Sequence, residues 1–424
     1  MSGGLRGAEA LAFSSARRRC VTPAVQWRPQ TGVAGCRTGA NPVHCRAETW
    51  TSSPGRAGVF PVLSEWSTAP MSLDRSSRPM TKLLSLVLLL SAPWLGGCLF
   101  AGPRHQGPVT EHFDGEQFQN LEPINRLSPE EVFKALRKGP RGPWRDYEEF
   151  APGKPPPERV GPGQLRVTFI NHATVLVQAD GLNMLTDPIY SDRPSPVPFI
   201  GPRRVRPPGI RFEDLPPIDV VVVSHNHYDH MDLPTLRRLE EAHHPRFIVG
   251  LGNKALLDGE GFRHVVELDW WKSTEVAPGR TVTAVPAQHR SNRGLTDSAA
   301  TLWAGYVLAT SGGPVFFAGD TGFGPHFAMM AERFGPMRLS VLPIGAYRPT
   351  AFRPVHMGPV EALQAHKVLR SATSVAMHYG TFALALDGQD EAKYHLLWLL
   401  AREPVRPRFW ALGFGEGRDV PALD

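Results

Sequence analysis

Residues Ser224-His225-Asn226-His227-Tyr228-Asp229-His230 place three histidines and one aspartate within one short turn. They follow Asp219-Val220-Val221-Val222-Val223, an apolar run with the make-up of a strand buried on both faces. A helical pattern opens soon after, over Pro234–His243. Packing gives no reason for this mixture. Small or apolar residues would close such a turn at lower cost, and clustered imidazoles and carboxylates carry a desolvation penalty unless a cation neutralises them. Side chains on one tight turn at a strand's end can also diverge toward two neighbouring metal positions.

The rest of the chain supplies a frame for that turn. Hydrophobic residues make up 42% and charged residues 20%, enough apolar side chain for a proper globular core. Short β-rich runs are expected at Leu165–Ile170, Thr174–Gln178, Leu182–Thr186, Val220–Val223, Phe247–Val249, Thr281–Val285, Val315–Ala318, Leu339–Pro343 and Ser374–Met377. Helical patterns fall at Phe327–Phe334, Val360–Leu369 and Glu391–Arg402, and an earlier one at Pro129–Lys138 is entered through Ser128 as N-cap. Strands that pair locally first, with helices interleaved later, predict an α/β domain of two sheets with helices on their outer faces.

The four cysteines are Cys20, Cys36, Cys45 and Cys98, so nothing beyond Cys98 can form a disulfide or offer a thiolate to a metal. A metal in the body of the protein must be held by histidine and carboxylate. The His-x-His-x-Asp-His pattern of the turn resembles the signature of the metallo-β-lactamase superfamily, and the remaining ligands which that resemblance implies occur in order along the chain. His289 follows the strand Thr281–Val285 in Pro286-Ala287-Gln288-His289, Asp320 follows Val315–Ala318 in Gly319-Asp320-Thr321-Gly322, and His378 follows Ser374–Met377 in His378-Tyr379-Gly380-Thr381. Each lies at a strand's carboxyl end, where loops converge. Imidazole and carboxylate ligands suit Zn²⁺ and are compatible with iron or manganese.

The resemblance to this superfamily implies a four-layer αββα sandwich. That resemblance implies two Zn²⁺: one held by His225, His227 and His289, the other by Asp229, His230 and His378, with Asp320 bridging. Asp187, after the strand Leu182–Thr186, reads as an outer partner of a ligating histidine or as a plain turn aspartate. More specific blocks resemble the N-acylphosphatidylethanolamine-hydrolysing phospholipase D family. They include Asn171-His172-Ala173-Thr174-Val175-Leu176-Val177, Thr186-Asp187-Pro188, Gly201-Pro202-Arg203-Arg204, Asp214-Leu215-Pro216-Pro217-Ile218-Asp219 and His378-Tyr379-Gly380-Thr381-Phe382-Ala383-Leu384. The likeness covers residues 145 to 400 and departs at Arg290 and Asn292, where the family pattern has an aromatic and a glycine. It implies phospholipase D-type hydrolysis of a phospholipid, with Asp229, Asp320 and His356 as catalytic candidates. Arg203 and Arg204, beside Arg206, are candidates for the phosphate or headgroup. Trp270 and Trp271 read as either an acyl groove or core.

A lactonase, a β-lactamase or a cyclic-phosphate phosphodiesterase would use the same ligands. A non-enzymatic zinc-binding surface lipoprotein fits less well, because structural zinc sites are closed by Cys and His whereas two carboxylates leave open positions. The formal net charge of +6 is concentrated in the Arg-rich first seventy residues, and no added domain for gripping a polynucleotide is visible, so nucleic acid is not expected as a partner.

The N-terminal part reads differently. Residues 1–79 show no sustained period and are expected to be a disordered extension or to precede the true start, at Met71 or Met80. Leu83–Pro93 is too short to span a bilayer, which takes about 20 apolar residues, but suits a signal-peptide core. Leu95-Gly96-Gly97-Cys98 resembles a bacterial lipobox, implying a lipid anchor at Cys98, a membrane partner and a periplasm-facing enzyme. Residues 99–144 are expected to act as tether and lead-in to a hydrolase domain over 145–424.

Overall fold

The computed structural model describes residues 102–124 and 127–423. Residues 1–79, the Leu83–Pro93 run and the Cys98 tetrapeptide lie outside the described residues.

Two seven-stranded sheets form the body of the protein. In the first, β1 (Leu165–Asn171), β2 (Thr174–Ala179) and β3 (Leu182–Thr186) run antiparallel, and β4 (Val220–Val223), β5 (Arg246–Gly250) and β6 (Val265–Leu268) continue parallel from β3. The second runs β7 (Ser273–Ala277), β8 (Arg280–Val285), β9 (Gly305–Leu308) and β10 (Val315–Phe317) antiparallel, then β11 (Leu339–Pro343), β12 (Ser374–Met377) and β13 (Phe409–Trp410) parallel. A late strand, β14 (Gly417–Asp419), closes the free edge of β1 with Arg166 opposite Asp419.

The layering follows from strand periodicity. In β4, Val220 and Val222 point into the core between the sheets, while Val221 and Val223 point outward onto Leu236 and Leu239 of the helix Leu233–His243. Both faces of this strand are therefore covered, which is why it carries four valines in a row. Each buried valine contributes roughly 1.5–3 kcal/mol. Helices His326–Phe334, Pro359–Val368 and Glu391–Leu400 bury Met330, Ala362, Leu363, Leu396 and Leu400 in the cluster that contains the second sheet. The result is the expected αββα sandwich.

Element bounds agree with the expectation for β3, β4, β11 and β12 and for the helix Pro129–Lys138. At that helix Ser128 and Glu131 form a reciprocal capping box, with Glu131 N donating to Ser128 Oγ at 3.2 Å and Ser128 N to Glu131 Oε2 at 2.8 Å. The last helix stops at Leu400, two residues before its expected end at Arg402, and β10 ends at Phe317 rather than Ala318.

The expected tether is not one within the described residues. Phe113 and Phe118 are buried in the main core, His105 N donates to Ala300 O at 2.8 Å, and Phe118 N donates to Ala299 O at 2.7 Å. Two fully buried phenylalanines stabilise this docking by several kcal/mol, about 1.5–3 each, so the segment behaves as part of the domain.

Candidate metal centre

Six strand ends converge on one polar cluster. β4 leads into 224–230, β8 into His289, β10 into Asp320 and β12 into His378, while β1 and β3 deliver His172 and Asp187. The approach is close. Gly319 has φ +60, and a Cβ there would come within 2.5 Å of Ser224 Cβ, so the Asp320 loop can press on the histidine turn because Gly319 lacks a side chain.

His225, His227 and His289 form one group. His225 Nε2 lies 2.8 Å from His227 Nδ1, and His289 Nε2 lies 3.2 Å and 3.4 Å from those two atoms. The outer nitrogens of the same rings are each held by an acceptor. His289 Nδ1 donates to Val355 O at 3.0 Å, and His227 Nε2 donates to Asn292 Oδ1 at 2.9 Å. Ser224 Oγ donates its proton to Asp187 Oδ2 at 2.6 Å and so accepts from His225 Nδ1 at 2.9 Å. With the protons placed outward, three bare nitrogens converge on a single point. Burial, aided by neighbouring imidazoles, keeps His225 and His289 well below the usual histidine range, and burial brings His227 to about 4. Three convergent lone pairs repel one another unless a cation lies between them. These residues therefore fit a metal.

Asp229, His230 and His378 form the second group, and Asp320 joins the two. Asp320 Oδ2 lies 3.1 Å from His378 Nε2, 3.3 Å from His230 Nε2 and 3.9 Å from His289 Nε2. Asp229 Oδ2 lies 3.3 Å from His230 Nε2 and 3.6 Å from His378 Nε2. His230 Nε2, His378 Nε2 and Asp320 Oδ1 are buried without a hydrogen-bond partner, as atoms facing a shared cation would be. Burial opposes charge on His230 and His378, but Asp320 and Asp229 overcome it, holding His230 well above its ordinary value and His378 at about 9. Burial likewise opposes ionisation of the two carboxylates, and the facing histidines hold both well below the usual range. The pocket thus demands positive charge at this second position, supplied by protons or by a metal.

The structure brings together all seven residues of the expected ligand set, and places His356 at the rim with its Nδ1 3.6 Å from Asp320 Oδ2. Asp187 is fully buried and accepts from Ser224 N, Ser224 Oγ and His230 Nδ1, at 2.7, 2.6 and 2.6 Å.

Arg203 and Arg204 are not brought to the cluster. Arg204 is buried and donates to the carbonyls of Ile189 and Ser191, reaching the site only across the ring of Phe382. Arg203 is largely exposed and pairs with Asp192, while Arg206 is tied to Glu148 and Asp390. These arginines hold loops together, which corrects the headgroup reading for Arg204 and Arg206. Trp270 is core, with Nε1 donating to Trp303 O at 2.8 Å, and Trp271 packs against the same cluster.

Three participants went unrecognised as site residues. His172 Nε2 lies 3.1 Å from Asp229 Oδ2, and burial lowers this imidazole to about 3, so it is a neutral donor that orients the carboxylate. Its quoted sequence block and its position after β1 were the available signals. Asn292, noted only as a departure from the family pattern, fixes the His227 ring.

Asn120 is the third, and no local pattern marks it. Its Nδ2 donates to His289 O at 2.8 Å, and its Oδ1 accepts from His289 N and from Trp303 Nε1, each at 3.0 Å. Asn120→Ala leaves the backbone N–H and carbonyl of His289 without this partner, while Trp303 Nε1 keeps its bond to Ala287 O, and the loss costs about 1–3 kcal/mol. The expected result is a melting temperature lower by several degrees, about 2–4 °C per kcal/mol at this size. An unchanged melting curve would show that residue 120 does not clamp His289.

Comparison with known proteins agrees with this geometry. Residues 182–379 match the beta-lactamase superfamily domain. A Caenorhabditis elegans protein named N-acyl-phosphatidylethanolamine-hydrolyzing phospholipase D 1 is 40% identical over 245 residues, covering 54% of this chain and 69% of that protein. A mitochondrial Saccharomyces cerevisiae protein of the same name is 36% identical, covering 51% of this chain and 48% of its own length. A Methanopyrus kandleri protein named as a metal-dependent hydrolase is 33% identical, covering 54% and 90%.

Proposed function

Because the chain belongs to the N-acylphosphatidylethanolamine-hydrolysing phospholipase D family, metal-dependent hydrolases of the metallo-β-lactamase superfamily, we propose that it uses two zinc ions to cleave N-acylphosphatidylethanolamine to N-acylethanolamine and phosphatidic acid. The likeness to the Caenorhabditis elegans protein carries the substrate reading. The two ligand groups joined through Asp320 support the metal count.

His225, His227 and His289 would hold one ion, Asp229, His230 and His378 the other, and Asp320 would face both. Such a pair supplies a hydroxide nucleophile at neutral pH and offsets charge on the phosphoryl oxygens. The chain's own residues do the rest. Asp187, Asn292 and Val355 O keep the ligand rings in one tautomer, and His172 fixes Asp229. His356, lowered to about 4 chiefly by burial, is neutral at physiological pH and has an unpartnered Nδ1. It would accept the proton released as hydroxide adds to phosphorus and phosphatidic acid forms, and return it to the alkoxide oxygen of the departing N-acylethanolamine.

A bilayer location is part of the proposal. The lipobox-like Cys98 supports it, as do exposed Phe199, Ile200 and Leu295 on two loops. Among the described residues no helix is long and apolar enough to cross a membrane.

The test is to load the chain with zinc and offer vesicles containing N-acylphosphatidylethanolamine, alongside lactones and cyclic phosphates. Release of phosphatidic acid and N-acylethanolamine in equal amounts is expected. Turnover of only the lactones or cyclic phosphates would reassign the substrate while leaving the hydrolase.

A further inference from the structure

Five histidines carry the ligand nitrogens, and four have a partner at the other ring nitrogen: His225, His227, His230 and His289. His378 is the exception. Its Nε2 faces Asp320 and Asp229, so its Nδ1 carries the proton, yet Nδ1 is buried with no hydrogen-bond partner. A buried N–H left unmade is costly, and outer partners of metal-bound imidazoles are rarely absent.

His378 lines a small cavity. Trp144, His172, Ala346, His378, Phe382 and Asp387 are among its walls, and about 10 Å³ is open to the centre of a water. That is the lower bound for holding one water. Asp387 is buried and rigidly held. Its Oδ2 accepts from Ala346 N at 3.1 Å, and its carbonyl accepts from Trp144 Nε1 at 2.8 Å. Its other oxygen, Oδ1, is buried without a partner. Two residues of the cavity wall, His378 and Asp387, thus carry one unpaired donor and one unpaired acceptor.

We infer that Asp387 is a positioning residue for the second metal position, receiving the His378 Nδ1 proton's hydrogen bond through a single water in this cavity. The water accepts from His378 Nδ1 and donates to Asp387 Oδ1. His378 then has the same arrangement as His230, whose outer nitrogen meets the carboxylate of Asp187 directly. The inference rests on the two-zinc reading.

Two variants test it in the full chain. Asp387→Asn keeps an oxygen for Ala346 N and removes the charge. Ala385→Val puts methyl groups into the cavity, which Ala385 also lines, and leaves Asp387 untouched. Zinc affinity is read for each ion by competition with a chromogenic chelator, together with the melting temperature of the metal-free chain. The expected result for both variants is about 10–100-fold weaker binding of one zinc, the other unchanged, with metal-free melting close to that of the parent. Parent-like affinity for both ions in either variant would overturn the inference while leaving two-zinc binding intact. Equal weakening of both ions with a large drop in metal-free melting would mark Asp387 as a loop brace and overturn it as well. A chain that takes up no zinc before mutation would remove the two-zinc reading and this inference together.

Discussion

On the proposed phosphodiester hydrolysis, Asp320→Asn is expected to lower kcat/KM about a thousandfold or more and to reduce bound metal. The substitution preserves shape and removes the charge of a group whose Oδ2 lies within 3.9 Å of three imidazole nitrogens from both ligand groups. Metal-ion catalysis contributes several kcal/mol of charge stabilisation, and each 1.36 kcal/mol is about tenfold in rate. Loss of alignment between the two positions therefore reaches about three to four powers of ten. Steady-state release of phosphatidic acid, with metal content by mass spectrometry, reads both effects. A variant within tenfold of the parent would show that Asp320 does not serve both positions.

Metal removal is the second large effect, and it depends on pH. A ligand held a thousandfold above its Kd stabilises by about 4 kcal/mol. At about 2–4 °C per kcal/mol, chelation near neutral pH is expected to lower the melting temperature by about 10 °C. The metal-free chain should then lose stability as pH rises. His230 is held well above the ordinary 6.5 and His378 at about 9, so their contribution is complete below 6.5 and disappears as pH climbs through the folded values. The lowered histidines His172, His225, His227 and His289 have folded values below 6.5 and affect stability only on the acid side. Melting scans between pH 6.5 and 9 should show a decline in chelator and little decline with zinc. Parallel curves would mean that protons do not occupy the place of the second metal.

What the sequence disclosed follows from which choices the chemistry restricts. Few side chains can bind a hard or borderline cation, and the turn 225–230 uses them at a spacing that packing does not explain. The strand ends before His289, Asp320 and His378 could be read because β8, β10 and β12 are short runs in which β-branched or apolar residues predominate. The groups that hold the ligands are ordinary polar residues whose partners lie far away. Asn120 meets His289 across 169 positions and His172 meets Asp229 across 57, with no local periodicity to announce either contact. The edge strands were invisible for a related reason. β7 is half-exposed Ser-Thr-Glu-Val-Ala, and β14 is Gly-Arg-Asp, a strand only because β1 offers it hydrogen bonds. Composition could not separate Arg203 from Arg204, since one guanidinium is solvated and the next is buried against carbonyls.

The pairing of β1 with β14 also sets an order of events. Arg166 meets Asp419 across 253 positions. A ribosome adding about 5–20 residues per second takes roughly 12–50 s to cover that span. Throughout that interval β1 presents an open edge, which is prone to pairing with other chains, and the ligand set stays incomplete until His378, 41 residues before Asp419, has been made. A complete ligand set therefore exists only once most of the domain has been made, and a cation drawn into it comes from the pool that surrounds the chain at that stage. Ligand type alone discriminates weakly among divalent first-row metals. The metal such a site carries would in that sense record the compartment in which its last ligand, His378, joined the others.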